Sequence, residues 1–145
     1  MAERYCILAG NWSSTLTWDG AVSLPGAGDD VYANNKTVTI DQNVTVLSLR
    51  NTAGVTAIAG GNFALGTGFT ATLTGAGIVT GAATCTTYGA ASPNATTVVG
   101  NVTGGGSNSR GISHTGTGTV NVTGNVRGGS ASNGLVINNN TTGTI

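Results

Sequence analysis

Few residues in this chain carry groups able to do chemistry, and their spacing limits what they can do. His114 is the sole histidine. No serine or cysteine sits where it would join His114 in a nucleophile–base–carboxylate array, so no triad is expected. Asp29 and Asp30 are adjacent carboxylates. A hard cation needs more oxygen ligands at set intervals, and no His, Glu or third Asp lies nearby. The pair reads instead as a turn or the start of a strand. Glycoside cleavage requires two carboxylates flanking the scissile bond, yet Asp41 is the last acidic residue in the sequence. Gly104, Gly105 and Gly106 lack the following Lys-Ser/Thr of a phosphate-binding loop and read as a turn. Trp12 and Trp18 have two readings: a stacking platform for a sugar, or an apolar plug over the end of a core, and the plug is favoured. Cys6 and Cys85 read as buried thiols rather than a disulfide. Neither catalysis nor a cofactor or metal is expected.

Composition points away from a thick globular core. The 145 residues include 25 Gly, only 7% are charged, 5% are aromatic, and the formal net charge is +0. The apolar 39% is rich in Ala and Val, which suits a slim interior spread along an elongated body. Gly-rich polar chains often stay disordered, but such chains usually carry net charge, and here Val and Ile fall in alternating clusters. The charges are scattered, with no basic stripe for nucleic acid and no polybasic segment for a membrane surface. No apolar run reaches transmembrane length, and residues 1–10 lack a signal-peptide core. The expectation is a protein made and folded in the cytoplasm.

The elements that must position these residues are strands. Thr37-Val-Thr-Ile-Asp41 alternates polar and apolar, and Val44-Thr-Val-Leu-Ser-Leu49 continues after a Gln-Asn break. Further strand candidates are 55–58, 69–73, 84–87, 96–102, 119–123 and 135–137. Gly and Asn punctuate the gaps, supplying the positive-φ turns, and no helical stripe appears. The stretch from Ala95 to Val102 overlays Thr119 to Val126 at an offset of ~24 residues, with a weaker echo placing Ile78 against Val102. Thr-X-Thr pairs at 37/39, 70/72, 84/86 and 117/119 are unevenly spaced, so a flat threonine ladder of the ice-binding kind is not expected. The fold expected is all-β: a parallel β-helix (β-solenoid) with coils of ~24 residues stacked ~4.8 Å apart. Inward positions are predicted at Val38, Ile40, Val44, Val46, Val98, Val102, Val120, Val122, Val126 and Ile145.

Such a stack has two ends needing cover. Residues 1–36 hold both tryptophans and most of the acidic residues and read as a cap or anchor segment; residues 37–145 read as the repeat region. Tyr5, Trp12, Trp18, Pro25, Asp29, Asp30 and Tyr32 are the candidate anchor and cap residues. The sequence stops at Ile145 within a repeat, so a larger assembly is expected.

One order of residues adds to this. Arg4-Tyr5, Gly10-Asn-Trp12-Ser-Ser-Thr, Thr17-Trp18, Leu24-Pro25-Gly-Ala-Gly-Asp29-Asp30-Val-Tyr32, then Lys36-Thr-Val-Thr-Ile40 through Leu47-Ser-Leu49 resembles the opening of tailed-phage virion structural proteins. That family includes tail fibres, head fibres and capsid decoration proteins, in which an N-W…W segment and P-x-x-x-D-D-V precede a parallel β-helix. The resemblance spans about residues 4 to 50; Cys6 stands where an aromatic is usual, and the stretch from Trp18 to Pro25 is short. It implies a non-enzymatic virion component, homotrimeric, assembled in the host cytoplasm and contacting other capsid or tail proteins. A host surface glycan is the other partner it admits; neither nucleic acid nor a membrane is expected.

Overall fold

Alternation of small apolar and polar residues builds parallel strands here, because each strand must bury one face while Gly and Asn turn the chain between strands. The computed structural model describes residues 2–66, 68–79, 87–89, 96–99, 102–103, 112–114, 120–127 and 137–139. Two sheets result. The first runs β1 (Ala2–Tyr5), β3 (Asp29–Tyr32), β5 (Val44–Arg50), β7 (Thr70–Val79), β10 (Val102–Thr103) and β13 (Val126–Arg127). Beside this path, β9 (Thr96–Val99) pairs with β7, and β12 (Val120–Thr123) pairs with β9. The second sheet runs β2 (Gly10–Asn11), β4 (Thr37–Ile40), β6 (Asn62–Leu65), β8 (Thr87–Gly89), β11 (Ile112–His114) and β14 (Ile137–Asn139). Neighbouring strands in both sheets are parallel. The chain is all-β; among the described residues its helical content is two short 3-10 turns, Thr15–Thr17 and Asp19–Ala21. No helix among these residues is long and apolar enough to cross a membrane.

The repeat offset seen in the sequence is the pairing register. Thr96 lies opposite Val120, Val102 opposite Val126, and Ile78 opposite Val102, each about 24 residues apart, within the range of structural repeats. Nearer the N-terminus the spacing changes. Ala2 faces Asp29, Asp30 faces Ser48, and Ser48 faces Gly77 across a bulge between Val46 and Ser48. Loops of unequal length absorb the difference.

Apolar residues stack on like positions. Val31, Leu49 and Ile78 are consecutive register partners and all are buried; so are Val38 opposite Phe63, Val44 opposite Ala71 and Val46 opposite Leu73. Each Val, Leu, Ile or Phe side chain among them contributes about 1.5–3 kcal/mol by burial. The predicted inward positions Val38, Ile40, Val44 and Val46 are in this core, and Val122 packs against it. Val98, Val102, Val120 and Val126 lie on β9, β10, β12 and β13; Ile145 and Cys85 lie outside the described residues. Thr39 pairs with Ala64 and Thr37 with Asn62, so threonines do not stack along the second sheet here.

One expectation about elements needs correction, and further strands join those expected. Residues 55–58 are not a strand but a loop with Val55 97% exposed, because the backbone N–H groups of this segment are taken by side chains rather than by a neighbouring strand. Residues 2–5, 10–11 and 29–32 are strands of the same two sheets, as are 62–65 and 112–114; their apolar runs are too brief to signal a strand. Of the other segments, 69–73 enters β7, while 84–86 and 135–136 lie outside the described residues.

Candidate functional site

The candidate site is the segment before β4, where the predicted anchor residues gather. β1 and β2 are the outermost strands of their sheets, and the chain between β2 and β3 folds back over them. Trp12 follows β2 and donates its amide to the Thr39 carbonyl at 2.7 Å, which turns its ring inward. Trp18 forms an isolated antiparallel bridge with Cys6. The two indoles are 1% and 0% exposed and meet edge to face, 4.7 Å between centroids and 68° between planes. Trp12 also sits 6.4 Å from the Phe63 ring. This joins the segment to the core between the sheets. Rings so enclosed present no face to a sugar, so the stacking-platform reading fails on geometry.

A polar clamp fixes the covering chain from outside. Arg4 Nε donates to Asp19 Oδ1 at 2.8 Å, Nη2 to the Ser23 carbonyl at 2.8 Å, and Nη1 to Ser23 Oγ at 3.2 Å. The same Asp19 oxygen accepts the Tyr5 N–H at 3.1 Å. On the inner side of β1, Ala2 and Cys6 donate to carbonyls of the chain around β3. Tyr5 N–H therefore points to the free edge, and Asp19 occupies a donor that would otherwise invite another strand.

The remaining candidates take separate roles. Pro25 is buried in the approach to β3. Asp29 Oδ2 accepts the Gly26 N–H at 2.8 Å, closing the turn that opens β3. Asp30 accepts from Ser48 Oγ and pairs with Arg50 Nε at 3.3 Å; Arg50 lies 5.9 Å over the ring of Tyr32. The two adjacent aspartates thus serve different partners. Tyr5 lies opposite Tyr32 on β1. Among the described residues, no group of three or more His, Cys, Asp and Glu is placed to share a cation. Burial raises the Cys6 thiol above its ordinary value, which disfavours the reactive thiolate.

Three contacts were not foreseen. Glu3 accepts the N–H groups of Val55, Thr56 and Ala57 at 2.6, 2.8 and 3.0 Å. Asn34, in the left-handed region at φ 51°, donates to the Cys6 carbonyl at 2.7 Å and accepts the Ile58 N–H at 2.8 Å. Asp41 accepts from Ser13 Oγ at 2.6 Å and from the Ser13 amide at 3.0 Å. All join residues more than 20 positions apart, so no local pattern announces them. Beyond these contacts the segment exposes Ile7, Leu8, Leu16 and Val22, four apolar side chains around a covering whose Asp19 is already paired with Arg4.

No protein-family model, curated protein or solved structure matches this chain.

Proposed function

We propose that this chain is a non-enzymatic structural component of a tailed-phage virion: a parallel β-helix of fibre or spike type, anchored to the particle by residues 1–36. The observation that carries the reading is the recurrence of parallel partners in both sheets, with buried Val31, Leu49 and Ile78 in one row. A chain that returns to the same row every turn forms a stiff body whose strength lies in backbone pairing and small apolar contacts. The same body serves equally as a projection or as a cement surface on a capsid. The covered N-terminal edge supports the anchor: Trp12 and Trp18 hold it to the core, and the exposed Ile7, Leu8, Leu16 and Val22 offer apolar contact to another capsid or tail protein. In this reading the working unit is a homotrimer assembled in the host cytoplasm.

Mass spectrometry of purified particles produced by the genome encoding this chain tests the assignment. The chain is expected in stoichiometric amount, and antibodies to it should label a projection or the capsid surface. Its absence from particles, together with a stable monomer by sedimentation, overturns the reading. Host-glycan attachment remains the second role the resemblance implies, but through a surface other than the tryptophan pair; glycan-array binding that survives in a folded Trp18→Phe variant would support it.

A further inference from the structure

We propose that residues 51–61 form a strap whose tip is latched by the Glu3 carboxylate and released when that carboxylate is protonated. The strap leaves the end of β5 and reaches Glu3 on β1, two strands away in the sheet order β1–β3–β5. Its base is fastened by backbone bonds: Ala33 N–H to the Arg50 carbonyl at 2.8 Å, Gly60 N–H to the Asn51 carbonyl at 2.8 Å, and Asn35 N–H to the Gly60 carbonyl at 3.0 Å. The Asn34 side chain holds Ile58.

Its tip is different. Val55, Thr56 and Ala57 turn three consecutive N–H groups toward one carboxylate, a concave array of donors that suits a negative charge. One further bond lies within the tip, Gly54 N–H to the Ala57 carbonyl at 2.9 Å, and it ties the tip to itself rather than to the sheet. Val55 and Thr56 are exposed, and Ala57 is its one buried side chain. Gly54 leaves the carboxylate its room, since a Cβ there would stand 2.5 Å from Glu3 Oε2. Protonation removes the charge and turns one oxygen into a donor, which faces three donors already present.

The strap sequence, Asn-Thr-Ala-Gly-Val-Thr-Ala-Ile-Ala-Gly-Gly, contains no titratable side chain. A pH response at its tip must therefore come through Glu3 or the groups around it. Those groups are Asp19 on the covering segment, Asp30 and Tyr32 on β3, and Arg50 on β5. Asp19 is paired with Arg4, and Asp30 with Arg50. Burial pulls the Glu3 carboxyl upward and Asp19 adds to that, but the three amides together outweigh both and hold it below its ordinary value. Closure is thus complete above the ordinary glutamate range and is lost as pH falls through the lower, folded-state value.

Amide exchange and chemical shifts of the full chain, followed by NMR across an acid titration, test the latch. The Val55, Thr56 and Ala57 amides should shift together in one step below the ordinary glutamate range and lose roughly tenfold or more in protection, as for hydrogen bonds to a charged acceptor. The Gly60 and Ala33 amides should hold. In Glu3→Gln the step should vanish, and in Glu3→Ala the three tip amides should be unprotected at every pH. Protection that persists after Glu3 is protonated, or a step that survives in Glu3→Gln, overturns the proposal. Loss of the Gly60 and Ala33 amides in the same step overturns it too, since the event is then unfolding of the sheet.

Discussion

Trp18 donates its indole N–H to the backbone carbonyl of Trp12 at 2.9 Å, within a contact that excludes solvent from both rings. One bond thereby ties the segment after β2 to the strand end before it. Trp18→Ala removes the ring and leaves that carbonyl unpaired. A loss of about 3–5 kcal/mol is expected in urea unfolding, the usual cost of truncating a buried large aromatic. Trp18→Phe keeps much of the burial and should lose about 1–3 kcal/mol, chiefly for the orphaned carbonyl.

Asp19 should matter more for solution behaviour than for stability. Its pair with Arg4 is partly exposed, so Asp19→Ala should cost only about 1 kcal/mol after solvent screening. Removing the carboxylate also frees the outward Tyr5 N–H, and sedimentation velocity should show more self-association than in the parent. Arg4→Ala leaves Asp19 free to hold the Tyr5 amide and should associate less.

The core row gives a contrast of faces. Leu49→Ala, buried between Val31 and Ile78, should lose about 2–5 kcal/mol. Thr45→Ala, on the exposed face of the same strand, should change stability by no more than about 0.5 kcal/mol. Denaturant midpoints of the two variants check this.

Ser13→Ala should have a pH-dependent effect. Burial raises the Asp41 carboxyl, but bonds from the Ser13 hydroxyl, the Ser13 amide and its own amide together hold it below the usual aspartate value. A depressed folded value stabilises above the unfolded one and fades as pH falls through the folded one. The stability gap between parent and Ser13→Ala should therefore be widest near neutrality and narrow in acid. A gap constant with pH would contradict this assignment.

Gly61 sits at φ 88° with a Cβ position 2.6 Å from the Lys36 backbone nitrogen and against the Lys36 carbonyl oxygen. Backbone cannot yield as a side chain can. Gly61→Ala should cost at least about 2 kcal/mol, from left-handed strain and collision together, read as a lowered thermal midpoint.

What the sequence made legible follows from distance along the chain. Alternation in Thr37–Ile40 and Val44–Leu49 revealed both strands and their buried faces, since a strand facing one core carries its own period. From Ala95 onward the repeat offset anticipated residue-level pairings, because equal spacing along the chain keeps equal phase. Before Ile78, the last position at which an echo was read, unequal loops and the β5–β7 bulge break that phase. Val55 to Ile58 looked like a strand by residue type, yet its donors serve Glu3 on β1 and Asn34 just after β3. Both tryptophans are buried; their link to Phe63 was invisible without the paired sheets.

The plug that Asp19 places on Tyr5 has a consequence for growth. A parallel sheet can in principle recruit strands at either margin, and recruitment at both yields aggregates without a defined length. With the Tyr5 donor of one margin already taken by Asp19, addition along the first sheet has a sense of direction. Any filament or fibre made by extending it would be polar, with unlike ends.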